Sequence, residues 1–404
     1  MTTTTRPTTG KERIAALDIL RGFAILGILV MNIQTFAMPG AAYLNPMAYG
    51  DLTGANQWVW ILSHVLADNK FMTIFSLLYG AGIVLVTERA EAKTGKSAGL
   101  HYRRNLWLLV IGLIHAHLIW YGDILVTYSL CALFAFLLRK KKPWTLVVIG
   151  TLMISIHSLF YLFTGMNVSE AGGAMDSWNP GAAAIALEIA EVTGTLTEQI
   201  RHNSQSALMM ETTVFLMLFL WRAGGLILIG MALYKWGIIT GQRSRTFYVR
   251  CLLISWALGF PLVIYGVVKN FQADWAMEYS MFLGSQFNYW GSIGVSLGYI
   301  SVIMLFAQSS TGTWIKDRLA AIGQMALTNY IAQSLIGVFI FYGVGFALFG
   351  QVDRVGQILI TVAIWMAQLL WSRPWLRRYH FGPLEWVWRS LTYQKRQKWA
   401  KAKD

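Results

Sequence analysis

Ten apolar runs, each near the length that crosses a bilayer, recur along the 404-residue chain and constrain its fold more than any other feature. They fall near 19–38, 70–88, 104–121, 123–139, 143–164, 207–236, 246–270, 278–307, 320–348 and 351–372. A hydrocarbon core of roughly 30 Å calls for about 20 consecutive apolar residues in a helix. Inside lipid, every backbone polar group must find its partner within the segment or a closed sheet. The expected fold is therefore all-α: a polytopic membrane protein with about ten transmembrane helices. A composition of 56% hydrophobic and 13% charged residues agrees, being too apolar for a soluble globular domain.

The formal net charge of +14 would suit a nucleic-acid partner, but its distribution reads differently. Basic residues fill alternate connections: Lys11 and Arg13, then 88–104, "RKKK" (139–142), 235–245, 314–318 and the tail after Ser372. The intervening connections, 38–69, 120–123, 165–206, 269–278 and 349–354, hold few basic residues and several acidic ones. Such alternation is the positive-inside pattern, which places both termini in the cytoplasm and leaves no role for nucleic acid. The opening "MTTTTRPTTGKER" has no apolar core of a signal peptide and reads as a short disordered tail before a retained first helix.

Four regions follow: a membrane half at 1–164, an extracytoplasmic insertion at 165–206 expected to form an amphipathic helix, a second membrane half at 207–372, and a basic-aromatic tail at 373–404. A tail mixing Trp and Tyr with Lys and Arg is expected to lie as an interfacial helix on membrane lipids. Cys131 and Cys251 fall one in each half, with a spacing that suits neither a disulfide nor a metal site, so apolar packing is expected and no metal.

Polar residues inside these runs are costly and mark candidate sites. In the first run, Arg21 and Asn32 are eleven residues apart and share a helix face, roughly 16 Å along it, with Asp18 on the same stripe. His64, Asp68 and Lys70 precede the second run, Arg103 and Arg104 begin the third, and His115 and His117 lie near its outer end. The two histidines project to opposite sides, so one can serve a given site. Asp123 follows the short turn "WYGD" and suits the N-cap of the fourth helix. Arg222, midway along the sixth run, demands a partner, for which Asp18, Asp123 or a ligand are the candidates; Glu211 is too far along the helix. Asn329 and Gln333 are i,i+4 neighbours suited to bonds between helices.

Longer strings carry a resemblance. The succession "LDILRGFAILGILVMN", "DNKFMTIFSLLYGAG", "GLIHAHLIWYGDILVTY", "WRAGGLILIGMALYKWGI", "GQMALTNYIAQSLIG" and "FGPLEWVWRSLTY" is similar, over nearly the whole chain, to the YeiB-like family, whose C-terminal half is a domain of unknown function (DUF418). More distantly, D-x-x-R-G with Asn ten residues after the Gly resembles the opening of the heparan-alpha-glucosaminide N-acetyltransferases, and R-x10-N is similar to the R-x10-H of inner-membrane acyltransferases. The resemblance implies a bacterial inner-membrane protein that moves an acyl group from cytoplasmic acyl-CoA to an envelope glycan, a lipid or a small acceptor.

On that reading Arg21, Arg103, Arg104 and Asn32 would hold acyl-CoA, since guanidinium groups suit phosphates. The sequence departs from the relatives at the base: Asn32 stands where the acyltransferases carry His, and "IQTFAMPGAAYLN" after it has none. His64 or His115 could take the proton instead, each ring oriented by Asp68 or Asp123. Asp18, Arg222, Asn329 and Gln333 would form a buried polar network. The same residues suit a transporter or channel for a small anionic or amphipathic solute, though no P-loop for a primary pump is present. The acceptor and self-association into a homo-oligomer are left open by the sequence.

Overall fold

The computed structural model describes residues 13–167 and 175–402; residues 1–12 of the expected N-terminal tail, Lys11 among them, and residues 168–174 of the expected insertion lie outside them. The elements used below are α1 (Ala15–Ala37), α2 (Gly54–Leu66), α3 (Lys70–Thr94), α4 (Ala98–Leu118), α5 (Leu125–Leu138), α6 (Pro143–Asn167), α7 (Ala182–Thr193) and α8 (Leu196–Lys235). They continue as α9 (Arg245–Gln272), α10 (Glu278–Gln308), α11 (Thr313–Gln324), α12 (Ala326–Phe341), α13 (Arg354–Arg378) and α14 (Pro383–Tyr393). Among the described residues the fold is all-α, with one isolated bridge between Tyr379 and Ala400.

Every apolar run is helical, but fewer than ten are spans in their own right. Among the described residues, seven elements are long and apolar enough to cross a membrane: α1, the continuous α2–α3, α6, α8, α9, α10 and α13. An eighth, the ninth expected span, is broken into α11 and α12 with an 81° bend. The third and fourth expected spans fall short. α4 opens on the basic turn "HYRRN", and α5 has 14 residues, about 21 Å of helix against a core of roughly 30 Å.

The two expected halves interleave. α8 packs between α3 and α6, while α1 packs along α11. At the second crossing a Cβ on Gly22 would run into the Leu319 carbonyl, and one on Gly323 into the Asp18 carbonyl, so the two backbones touch. Small residues allow this approach where lipid offers no hydrophobic drive. Gly22→Leu is expected to cost about 1–3 kcal/mol through overpacking, read as a lower Tm of the detergent-purified protein; an unchanged Tm would show that the crossing is not tight.

α1 thereby holds Asp18 and Arg21 over the α11–α12 break. The expected insertion helix is α7, at the opposite end, where Glu188 accepts from the Gly40 amide at 2.9 Å. The tail helix α14 docks on the bundle at the end where α1 begins, beside Arg13: Trp388 Nε1 donates to the Arg104 carbonyl (2.9 Å), and Arg103 Nε to the Thr392 carbonyl (2.5 Å).

Candidate functional site

At this basic end a cavity of about 280 Å³ opens between α1, α3, α4, α5, the α11–α12 break and α14. Five guanidinium groups line it, from Arg13, Arg21, Arg89, Arg104 and Arg389, against the carboxylates of Asp18 and Glu385. Asp18 is buried and bound by Arg21 Nη1 (2.9 Å) and Arg13 Nη1 (3.4 Å); Arg21 also reaches the Gly323 carbonyl at 3.5 Å. Arg104 lies 4.6 Å over the Trp388 ring. Burial and the neighbouring Arg13 pull the Arg389 guanidinium down to about 10, so it stays charged at neutral pH.

Glu385 has a different task. Breaking the helix at Met325 exposes the first amides of α12, which need acceptors. Glu385 supplies them from α14: it accepts from Leu327 N (2.6 Å), Thr328 N (3.1 Å) and Thr328 Oγ1 (2.6 Å). Burial pushes its carboxyl above the ordinary value, and these hydrogen bonds act against that push. Glu385→Ala is expected to cost about 1–3 kcal/mol, the range for a lost cap or an unsatisfied buried donor. Thermal unfolding followed by tryptophan fluorescence checks this, with Glu385→Gln falling between; equal Tm for all three proteins would remove the capping role.

The rest of the wall is largely apolar, with Ile25, Ile28, Phe75, Leu78 and Leu108, and carries the phenols of Tyr79, Tyr128 and Tyr330. The Tyr330 ring lies against His115, centroids 5.2 Å apart. Its hydroxyl donates to the Gly122 carbonyl at 3.4 Å and is also hydrogen-bonded to the Ile124 backbone, and the ring is buried. Behind it, His115 Nδ1 is 2.7 Å from Asp123 Oδ2, their side chains 1% and 2% exposed. With the Nδ1 proton donated to Asp123, the lone pair sits on Nε2, a buried atom without a partner. Asp123 also caps α5, its Oδ1 accepting from Val126 N at 2.7 Å. Gly112 permits the arrangement, since a Cβ there would press on Val126 N and Asp123 Oδ1 at 2.8 and 3.1 Å.

The second imidazole–carboxylate pair expected from the sequence forms elsewhere. His64 Nδ1 is 3.2 Å from Asp68 Oδ2, and Asp68 accepts from Asn288 Nδ2 (2.8 Å) and Tyr43 Oη (3.2 Å). Lys70 Nζ donates to Asn288 Oδ1 (2.6 Å) and the His64 carbonyl (2.7 Å). This cluster joins α2 and α3 to α10, and none of its members lines the cavity.

Arg222 corrects the sequence expectation. Neither Asp18 nor Asp123 touches it. Its guanidinium, 1% exposed, donates to the Tyr289 carbonyl and Ser292 Oγ, both at 2.8 Å, and lies 4.2 Å over the Tyr289 ring. Carbonyl, hydroxyl and π-face meet the two Nη groups, while the buried Nε has no partner, and the two carboxylates are already engaged with Arg21 and His115. Glu211 pairs with His117 at 3.3 Å.

Of the remaining candidates, Arg104 and Arg21 line the cavity, whereas Arg103 is turned to Thr392 and Asn32 is half-buried on α1 outside the lining. Asn329 and Gln333 tie helices together: Asn329 Oδ1 accepts from Trp371 Nε1 (2.9 Å), and Gln333 Nε2 donates to the Ile25 carbonyl (3.0 Å) and Gln368 Oε1 (2.9 Å). Sequence reasoning missed Glu385, Tyr330, Arg89 and Arg389, and also Arg354, a buried guanidinium at the opposite end that donates to Gln34 Oε1 and the Pro46 carbonyl at 3.3 and 3.2 Å. An acid in "FGPLEWVWRS", within an otherwise basic tail, was the available signal for Glu385.

Fold and site define a helical, multi-pass membrane protein with an arginine-mouthed, apolar-walled cavity beside a buried His–Asp pair. The family described as "Protein of unknown function (DUF418)" matches residues 233–395, which include α9 to α14 and so Tyr330, Glu385 and Arg389. The chain is 33% identical to the uncharacterized protein YeiB of Escherichia coli (strain K12), over 94% of this chain and 96% of that one. It is 29% identical to the uncharacterized protein YxaH of Bacillus subtilis (strain 168), over 98% of each. The chain belongs to the YeiB-like family.

Proposed function

We propose that this protein is an acyltransferase of the bacterial cytoplasmic membrane, taking an acyl group from cytoplasmic acyl-CoA and passing it to a hydroxyl or amine of an envelope glycan, lipid or small acceptor. The observation that carries the reading is a cavity lined both by five arginines and by Tyr330, against which His115 packs. Guanidinium groups at the mouth suit the phosphates of the donor, and the apolar wall suits its acyl chain. A volume of about 280 Å³ lies just under the range for small-molecule sites, roughly 300–1,000 Å³, and favours a short chain with the nucleotide part held at the mouth.

In the transfer step, His115 Nε2 takes the proton of the acceptor O–H or N–H while the acceptor atom attacks the thioester carbon. The new C–O or C–N bond forms, the C–S bond breaks, and the departing thiolate of CoA receives the proton from His115. Asp123 stabilises the imidazolium in between. Tyr330 stands between thioester and base, and its side chain must swing for the two to meet.

A second reading, passage of a small anionic or amphipathic solute, draws on the 81° break between α11 and α12, because discontinuous helices line transporter sites. Against it, Glu385 already occupies the amides at the start of α12 that would receive an anionic substrate. Mass spectrometry of nucleotides and lipids retained through gentle purification separates the two. Retained acyl-CoA is the expected result; a retained solute with no thioester and no acyl-CoA would contradict acyl transfer.

A further inference from the structure

Helix α14 has two faces with different neighbours. Glu385, Trp388, Arg389 and Thr392, at the i, i+3, i+4 and i+7 positions of one face, line the arginine-mouthed cavity. Trp386, Val387, Ser390, Leu391 and Gln394 turn the other way and, with Trp107 of α4, line a separate open groove of about 510 Å³. The groove ends at Lys395 and Arg396, both exposed, and no carboxylate lines it.

Local geometry fixes the two cations at this position. α14 is capped by Gln394, which takes a left-handed conformation with φ of 52°, and Lys395 N donates to the Ser390 carbonyl at 3.1 Å. The chain then folds back over the helix: Gln397 N donates to Ser390 Oγ (3.2 Å) and Trp386 Nε1 to the Gln397 carbonyl (2.8 Å). Arg396 lies 5.9 Å over the Trp386 ring. Beside the groove the outward face of α4 is apolar, with Leu106, Ile114 and Leu118 exposed by 56%, 52% and 54%. The groove is thus cationic at its end, aromatic on its walls, and continuous with a surface that suits acyl chains. Basic pockets at the edge of a helical bundle, near the interface, are where anionic headgroups bind.

We propose that this groove binds one anionic glycerophospholipid, its phosphate held by Lys395 and Arg396 and an acyl chain lying over Trp107, Val387 and Leu391. The inference stands independently of acyl transfer. It carries a consequence for the cavity, because a lipid seated on one face of α14 steadies the helix whose other face walls the mouth.

The test uses the full-length protein in detergent, supplied with phosphatidylglycerol or phosphatidylcholine and examined by native mass spectrometry. Wild type is expected to retain one phosphatidylglycerol and to show a raised Tm, with neither effect from phosphatidylcholine. In the double variant Lys395→Glu, Arg396→Glu, both residues are exposed and folding is expected to persist; affinity is expected to fall by about tenfold or more, since each basic residue near an anionic surface contributes about 1 kcal/mol. Trp107→Ala is expected to weaken retention without changing the preference for the anionic headgroup. Equal retention of both lipids, or unchanged retention by the double variant, overturns the proposal. So does an equal rise in Tm from inorganic phosphate alone, which would make the occupant a free anion.

Discussion

Replacing His115 by alanine is expected to cut acyl transfer by about 10²–10⁴-fold, the usual contribution of a positioned general base, while affinity for acyl-CoA stays within about twofold. The asymmetry follows from position. His115 lies behind Tyr330, outside the cavity lining, so donor binding does not require it. Its Nε2 is buried and unpartnered, and Asp123 fixes the proton on Nδ1, leaving a lone pair ready to accept. Asp123→Asn should reduce transfer by a comparable amount and also lower Tm, because the same side chain caps α5. His64→Ala serves as the control: His64 and Asp68 belong to the cluster with Lys70 and Asn288, and transfer should change by less than about threefold. Full activity in His115→Ala with loss in His64→Ala would reverse the assignment. Rates of CoA thiol release, with donor titrated separately, supply both quantities.

Arg222→Leu is expected to destabilise the fold by about 3–5 kcal/mol, enough to remove most folded protein from the membrane. The guanidinium satisfies the Tyr289 carbonyl and Ser292 Oγ and covers the Tyr289 ring, all from α10, so it pins α8 to α10 within the bundle. Leucine would fill part of the volume and leave the oxygens without their donor. Arg222→Lys should not restore stability, since an ammonium cannot reproduce the planar fork. Expression, size-exclusion profile and Tm of the two variants check this, and a well-expressed Arg222→Leu protein with wild-type Tm would mean that the charge holds nothing together.

The parts of this structure legible in the sequence are those governed by local spacing. The Asp18–Arg21 pair is an i,i+3 contact on one helix, and His115 meets Asp123 because the turn between α4 and α5 is short. Hydropathy located the ten apolar runs but not α2, which lies in the expected connection 38–69 and runs on into α3, nor how each run crosses. Residues 320–348 stay apolar through the break at Met325, so the 81° bend leaves no trace in the apolar run. Arg222 was visible as a residue in need of partners, but those partners are a backbone carbonyl and a hydroxyl 67 and 70 residues away, groups that any helix offers. Glu385 was hidden for a related reason: its partners are amides freed by that same break, and a tail of Lys, Arg and Trp reads as a membrane-surface segment whether or not one acid folds back under the bundle. Contacts set by tertiary packing thus escaped, including two of the five arginines that α3 and α14 bring to the mouth, Arg89 and Arg389.

The measurement that bears most directly on the arginine-mouthed cavity as a donor site is calorimetric titration of butyryl-CoA into the detergent-purified protein, beside Arg21→Ala and Arg389→Ala. The prediction is binding on the order of 1–100 μM for wild type and at least about tenfold weaker for each variant, as loss of a charge-assisted phosphate contact entails. Absence of binding to wild type, or the same affinity in all three proteins, would contradict it.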